Sequence, residues 1–256
     1  MEEGISGRTV WITGAGSGIG AAVARAFAGA GATVALTGRS EAPLRSLAEE
    51  IGGQAQVHPG DVRNAAAMAG IAARLAEDTG GLHILCNNAG LNVPPRYWRD
   101  LRADPQGQAR AGWQAVIDVN LTGALNVIAA ALGPMREAGG GVMIHTASWA
   151  GRFHSPVAGV AYGAAKHAVV SLSASLNAEE GAHGIRSTAL CPAEVATPLL
   201  LRRPGFDPAA AEAMIQPDDM AAAALFLARM NPSVAVHEIT LAPVRRTPSI
   251  PTGDAP

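Results

Sequence analysis

Four glycines within seven residues, in Thr13-Gly14-Ala15-Gly16-Ser17-Gly18-Ile19-Gly20, constrain this chain more than any other stretch. Glycine offers almost no side-chain surface to bury, so the run is not there for packing. It lets the backbone reverse sharply and exposes bare amide N–H groups to whatever lies above the turn. The β-rich run Thr9-Val10-Trp11-Ile12 enters it and an Ala-rich helical pattern, Ala21 to Ala30, leaves it. A Gly-rich turn between strand and helix puts those amides at a helix N-terminus, where an anion, most often a phosphate, is favoured. A Gly-rich surface loop is the plain alternative; the flanking elements favour a nucleotide site.

Apolar runs alternate with helical stretches through the rest of the chain. The expected strands after the first are Thr33–Thr37, Gln54–His58, Leu82–Cys86, Val142–Thr146, Ile185–Cys191 and His237–Leu241. The expected helices are about 41–51, with Ser40 as cap, then 64–79, 110–137, 158–182 and 217–230. Apolar strands alternating with helices imply an α/β architecture, a three-layer doubly wound parallel sheet of the Rossmann type with helices on both faces. No linker divides the 256 residues, so a single domain over 1–256 is expected. Asn92 to Gln108 reads as a surface excursion, about 198–216 as a segment covering substrate, and about 245–256 as a loose tail.

In such sheets ligands lie beyond the carboxyl ends of the strands, and polar residues stand there. Gly38-Arg39 follows the second strand, nineteen residues past Gly20, where an NAD site would carry an acid for the ribose hydroxyls. The guanidinium of Arg39 suits a 2′-phosphate, so NADP(H) is favoured over NAD(H), although an arginine could also stack on adenine alone. After the third strand, Asp61 could accept from an adenine amino group with Val62 against the ring; the alternative is that Asp61 or Asn64 caps the next helix. Asn87-Asn88-Ala89-Gly90 follows the fourth strand, and its side chains could fix the strand end beside a ribose, or it is simply a turn.

Tyr162 and Lys166, four apart, share one helix face. A tyrosine is a poor base at its usual pKa near 10, but a close ammonium favours the phenolate. Ser148, fourteen residues before Tyr162, can donate to the same substrate oxygen. Taken alone, the pair is also compatible with a solvated helix face.

Together, Thr13–Gly20, Asn87–Gly90, Val119-Asn120, Ser148, Tyr162-x-x-x-Lys166 and Pro192-x-x-Val195-x-Thr197 resemble the short-chain dehydrogenases/reductases, in order and across nearly the whole chain. The resemblance implies an oxidoreductase interconverting a secondary alcohol and a ketone, or an aldehyde and a primary alcohol. Tyr162 would be the acid/base, Ser148 would hold the substrate oxygen, and Lys166 would lower the tyrosine pKa and hold the nicotinamide ribose. Asn120 would support Lys166 through a water. Gly14, Ser17, Gly18, Ile19, Gly20, Arg39, Asp61, Val62, Asn88, Ala89 and Gly90 would bind the cofactor from its phosphates to its riboses. Pro192, Val195 and Thr197 would line the nicotinamide amide. The two long helices would pair between subunits in a homodimer or homotetramer.

Departures stand beside the match. Ala193 replaces the glycine usual after Pro192, Ala147 a second serine, and the Ser148-to-Tyr162 spacing of fourteen is one residue longer than expected, which suggests a bulge near Phe153-His154-Ser155. Trp149, Arg152, His154, Arg96, Tyr97 and Trp98 are candidates for the substrate mouth, and the pairs Arg202-Arg203 and Arg245-Arg246 for a carrier-binding surface. Two rivals remain: a nucleotide-binding regulatory protein without turnover, and a reductase of carrier-bound acyl groups. The formal net charge of −2 gives no reason to expect nucleic acid, and no metal site is expected. No apolar run reaches the ~18 residues of a membrane span, and Met1-Glu2-Glu3-Gly4 begins no signal peptide. A cytoplasmic protein is expected, its Cys86 and Cys191 buried free thiols rather than a disulfide.

Overall fold

The computed structural model describes residues 4–201 and 206–244. The chain runs β1 (Thr9–Thr13), α1 (Gly18–Gly29), β2 (Thr33–Gly38), α2 (Glu41–Ile51), β3 (Ala55–Pro59), α3 (Ala65–Thr79), β4 (Ile84–Asn87), α4 (Trp98–Arg102) and α5 (Gln108–Ile117). It continues through α6 (Gly123–Glu137), β5 (Gly141–Thr146), α7 (Val160–Glu180), β6 (Ile185–Pro192), α8 (Pro198–Leu201), α9 (Pro217–Arg229) and β7 (Glu238–Leu241). The strands form one sheet in the order β3-β2-β1-β4-β5-β6-β7, every pairing parallel. The order reverses between β1 and β4, so the crevice of a doubly wound sheet opens there.

Alternation along the strands sends side chains to two cores. Val10, Ile12, Leu36 and Ile144 pack with α1, α2 and α9, while Trp11, Leu85 and Met143 pack with α3 and α6 on the other face. Trp11 is fully buried and its indole N–H donates to Thr37 Oγ1 at 2.9 Å, so its one polar atom is satisfied inside the core. Cys86 belongs to the first core and Cys191 to a cluster under α7, on opposite faces of the sheet; both are free thiols.

Several expectations shift. Ser40 occupies the first cap position of α2 but its side chain makes no capping bond, whereas Asn64 accepts from the Ala67 amide and caps α3. The helix expected over 110–137 begins at Gln108 and is interrupted by a π turn, Asp118–Thr122, between α5 and α6. By length and composition alone the helical run Gln108–Glu137 is apolar enough to cross a membrane. Here it lies against the sheet, with Val127, Ala131 and Met135 in the core beneath it. The excursion from Asn92 contains α4, and the 198–216 segment contains α8 and a 3₁₀ turn at Pro208–Ala213. The pairs Arg202-Arg203 and Arg245-Arg246 and the tail from 245 lie outside the described residues.

Candidate functional site

The carboxyl ends of β1, β4, β5 and β6 converge on a cleft of about 280 Å³. Its wall on the β1 side is the glycine turn. Gly14 and Gly18 have φ of +66° and +52°, a region costly for side chains. A Cβ on Gly14 would stand 2.9 Å from Ala89 Cα, and one on Gly20 2.3 Å from the Gly14 carbonyl oxygen. Packing therefore requires glycine at both positions. Ser17, at the N-terminus of α1, makes no capping bond, which leaves the first amides of a twelve-residue helix available to an anion. Gly14, Ser17, Gly18 and Ile19 line the cleft, with Thr197 and Pro198 closing over Gly18.

A polar lattice holds the strand ends together. Thr13 Oγ1 accepts from the Asn88 and Ala89 amides at 3.0 and 3.1 Å. The Asn88 side-chain amide donates to the Thr13 and Gly14 carbonyls, and Thr146 Oγ1 donates to Asn88 Oδ1 at 3.0 Å. Asn88 thus joins β1, β4 and β5, while Asn87 reaches the Ala124 carbonyl at 3.1 Å. Sequence reasoning anticipated the Asn-Asn pair and quoted Thr13 only as the head of the glycine motif, without its bonds; it missed Thr146, which carries no pattern of its own.

Farther along, Lys166 is 4 % exposed and donates to the Thr146 carbonyl oxygen at 2.6 Å. Its ammonium stands 5.6 Å from the centre of the Tyr162 ring. Burial pushes the Lys166 pKa down to about 8. Beneath it His145, on β5 between Asn87 and Ala189, is 1 % exposed with neither ring nitrogen hydrogen-bonded. Burial first, then the Lys166 charge, hold its pKa near 4, so its ring is neutral. The Asn120 side chain, in the π turn, donates to Leu91 and Val116 carbonyls at 2.7 and 2.9 Å and leaves its Oδ1 without a partner. A Cβ on Gly90 would lie 2.8 Å from that oxygen and 3.7 Å from Lys166 Nζ. The missing side chain at 90 keeps the space between the two open.

Ser148 starts the 3₁₀ turn Trp149–Gly151, and its hydroxyl accepts from the Ala150 amide at 3.2 Å. Gly151 packs so tightly on α7 that a Cβ would come 2.7 Å from the Lys166 carbonyl, which sets Ser148 against the Tyr162 helix. Asn120, Ser148, Tyr162, Lys166, Asn88, Gly90, Pro192, Val195 and Thr197 all line the one cleft. Gly20 and Ala89 act from behind it as packing. Arg39, Asp61 and Val62 stand apart, past the ends of β2 and β3. There Arg63 grips Asp61 through both carboxylate oxygens, with Arg39 close enough to lower the Asp61 pKa further. The Asp61–Arg63 turn is fastened to the helix of Asn120: Asn126 donates to the Val62 carbonyl at 2.9 Å, and Val62 fills the place of a Gly123 side chain.

Of the expected mouth residues, Trp149 lines the cleft and stacks on Phe153, ring centroids 4.3 Å apart. Arg152 pairs with Glu238 at 3.1 Å, Arg96 reaches the Val157 carbonyl, Tyr97 lies under Arg99, and Trp98 packs edge-on to Trp113. His154 is exposed and not part of the lining; Ser155, Asn92, Glu194 and Leu199, which no motif flagged, are.

Residues 8–204 match the short chain dehydrogenase family. The chain is 35 % identical over 246 residues to a protein named sulfoacetaldehyde reductase 2 from Chromohalobacter salexigens, covering 93 % of this chain and 94 % of that one. Among solved structures it resembles a 3-ketoacyl-(acyl-carrier-protein) reductase from Brucella melitensis complexed with NADH, with TM-score 0.83 and 27 % identity over 94 % of this chain and 99 % of that one. It also resembles an alcohol dehydrogenase from the archaeon Thermococcus sibiricus complexed with 5-hydroxy-NADP, with TM-score 0.80 and 28 % identity over 94 % and 99 % of the two chains.

Proposed function

The chain belongs to the short-chain dehydrogenase family, and from that premise we propose that it is an NADP(H)-preferring oxidoreductase in which Tyr162 moves the proton. A bound nicotinamide supplies or takes the hydride. In the alcohol-forming direction Tyr162 gives its hydroxyl proton to the substrate oxygen; in the reverse direction it takes it back. Ser148 donates to that oxygen and holds it in place. The Lys166 ammonium favours the tyrosinate and is itself steadied by the Thr146 carbonyl. The open space between Asn120 Oδ1 and Lys166 Nζ suits a water that returns the proton.

One observation carries this reading. A cation is buried beside the Tyr162 ring, held by a single carbonyl, at a cost in desolvation that packing alone does not explain. For the cofactor, the free α1 amides suit a pyrophosphate, and Arg39 offers a guanidinium where an acid would mark NAD. Arg63 keeps Asp61 ionised, as an acceptor for an adenine amino group requires. The substrate would be a small alcohol or carbonyl compound, and the faces of α5–α6 and α7 would pair subunits.

Titration of the purified protein with NADPH and NADH, followed by a panel of ketones and aldehydes read by loss of reduced-nicotinamide absorbance, tests the assignment. Tighter NADPH binding and turnover on a carbonyl are expected. Binding without turnover on any carbonyl would replace it with a nucleotide-binding regulatory role.

A further inference from the structure

Two residues of opposite charge type, Lys166 and Glu194, line the cleft among the described residues, and they differ in how far they are committed. Lys166 is buried and bonded to Thr146. Glu194 is exposed, and among the described residues its carboxylate has no hydrogen bond or ion pair. Its backbone is nonetheless fixed: the Glu194 carbonyl accepts from the Ile215 amide at 3.1 Å, and Val195 bridges to Ile215. The acid therefore stands at a set position where β6 leaves the sheet, directly after Pro192-Ala193. Trp149, Val157, Pro198 and Leu199, the last 49 % exposed, supply apolar surface to the same cleft, beside the polar side chains of Asn92 and Ser155.

A cleft whose one exposed charge, among the described residues, is negative discriminates between substrates by sign. Low-dielectric walls focus the field of the carboxylate into the cleft. An aromatic face such as Trp149 adds attraction for a cation and none for an anion. A substrate bearing a carboxylate, sulfonate or phosphate brings like charge against Glu194. One bearing an ammonium finds a partner.

Building on the oxidoreductase reading, we propose that the substrate class is amino alcohols and the amino ketones or aldehydes they interconvert with, the ammonium taken by Glu194 and the apolar body by Trp149 and Leu199. Glu194 is then a specificity-determining residue, with no part in the proton transfer.

Three secondary alcohols of one shape test this: 2-amino-1-phenylethanol, 1-phenylethane-1,2-diol and mandelate, which are cationic, neutral and anionic at neutral pH. Each is offered with NADP⁺, and each is also tried as a competitor against whichever carbonyl the panel yields. The cation is expected to exceed the anion by at least about tenfold in kcat/KM or in inhibitory strength, in line with a partly exposed charge pair. Glu194→Gln should bring that ratio down about tenfold, and Glu194→Lys should reverse it. A ratio that is unchanged in Glu194→Gln, or a wild type that prefers mandelate, would overturn the assignment of Glu194 and of the substrate class. Absence of turnover on every alcohol and carbonyl, with NADPH still bound, would instead bring down the oxidoreductase reading beneath it.

Discussion

Lys166 donates to the Thr146 carbonyl oxygen at 2.6 Å while its charge sits 5.6 Å from the centre of the Tyr162 ring. Thr146 ends β5 and Lys166 lies in the second turn of α7, so the bond ties the sheet to the helix that carries the tyrosine. The ammonium is thus placed by the fold before any ligand arrives. Preorganised charge of this kind acts without reorganising during reaction.

Tyr162→Phe removes the group that gives or takes the proton and leaves the ring packing. Turnover should fall by roughly 10²–10⁴-fold or more, in keeping with the worth of a positioned acid/base, while NADPH binding followed by fluorescence stays within a few fold. Retained turnover would exclude Tyr162 from the chemistry.

Lys166 is a burden on the folded state. Its pKa is pushed to about 8 from 10.5, so the unfolded chain holds this proton more tightly and the native state is disfavoured at neutral pH by about 3 kcal/mol. The Thr146 bond offsets about 1–2 kcal/mol of a lysine's burial. Lys166→Met should therefore melt no lower than wild type, and on balance a few degrees higher, at ~2–4 °C per kcal/mol, while losing activity. A markedly lower melting temperature would mean that the lysine holds the fold together.

Cofactor selectivity should separate at the two arginines. Arg39→Ala is expected to weaken NADPH roughly 10–100-fold more than NADH, the worth of a charge-assisted hydrogen bond. Arg63→Ala, which releases Asp61, should weaken both cofactors alike, because both carry adenine. Equal losses of NADPH and NADH in Arg39→Ala would remove that residue from the phosphate site.

His145 makes stability depend on pH in a definite direction. Its folded pKa, near 4, lies below the unfolded 6.5, so the unfolded chain takes up a proton that the native chain refuses. Stability falls as pH drops from 6.5 towards 4, by up to about 3 kcal/mol. Burial also depresses the pKa of His58, which is buried, and of His83, which is partly buried, and both add to the same slope. Urea denaturation at pH 7 and pH 5 measures it: His145→Gln should lose less stability between the two than wild type does. An identical loss would show that His145 does not resist protonation.

Much of this was legible from residue order alone. The alternation of strands and helices and the glycine turn follow from local pattern, since strand ends in a parallel sheet must gather at one edge, while Ser148, Tyr162 and Lys166 became legible as a set only through the family resemblance. What escaped depends on contacts distant in sequence. The π turn at Asp118–Thr122 adds a fraction of a residue per turn to an otherwise ordinary helical pattern. Ser40 and Asn64 both suit a cap, and only packing decides that Asn64 makes the bond. The mouth was the least legible part. Arg152 looks like a substrate ligand until Glu238, 86 residues later, takes it up, while Glu194 looks like an ordinary surface acid until β6 sets it at the rim.

The grip of Asn126 and Gly123 on the Asp61–Arg63 turn has a mechanical consequence. Gly123 stands three residues from Asn120, on the same rigid rod. The rod works as a splint along the sheet face: one end is clamped to the turn beyond β3, the other presents Asn120 beside Lys166. A side chain at 123 would collide with Val62 and lever Asn120 against Leu91. Damage at the far wall would then be felt as slowed chemistry in residues that never touch it.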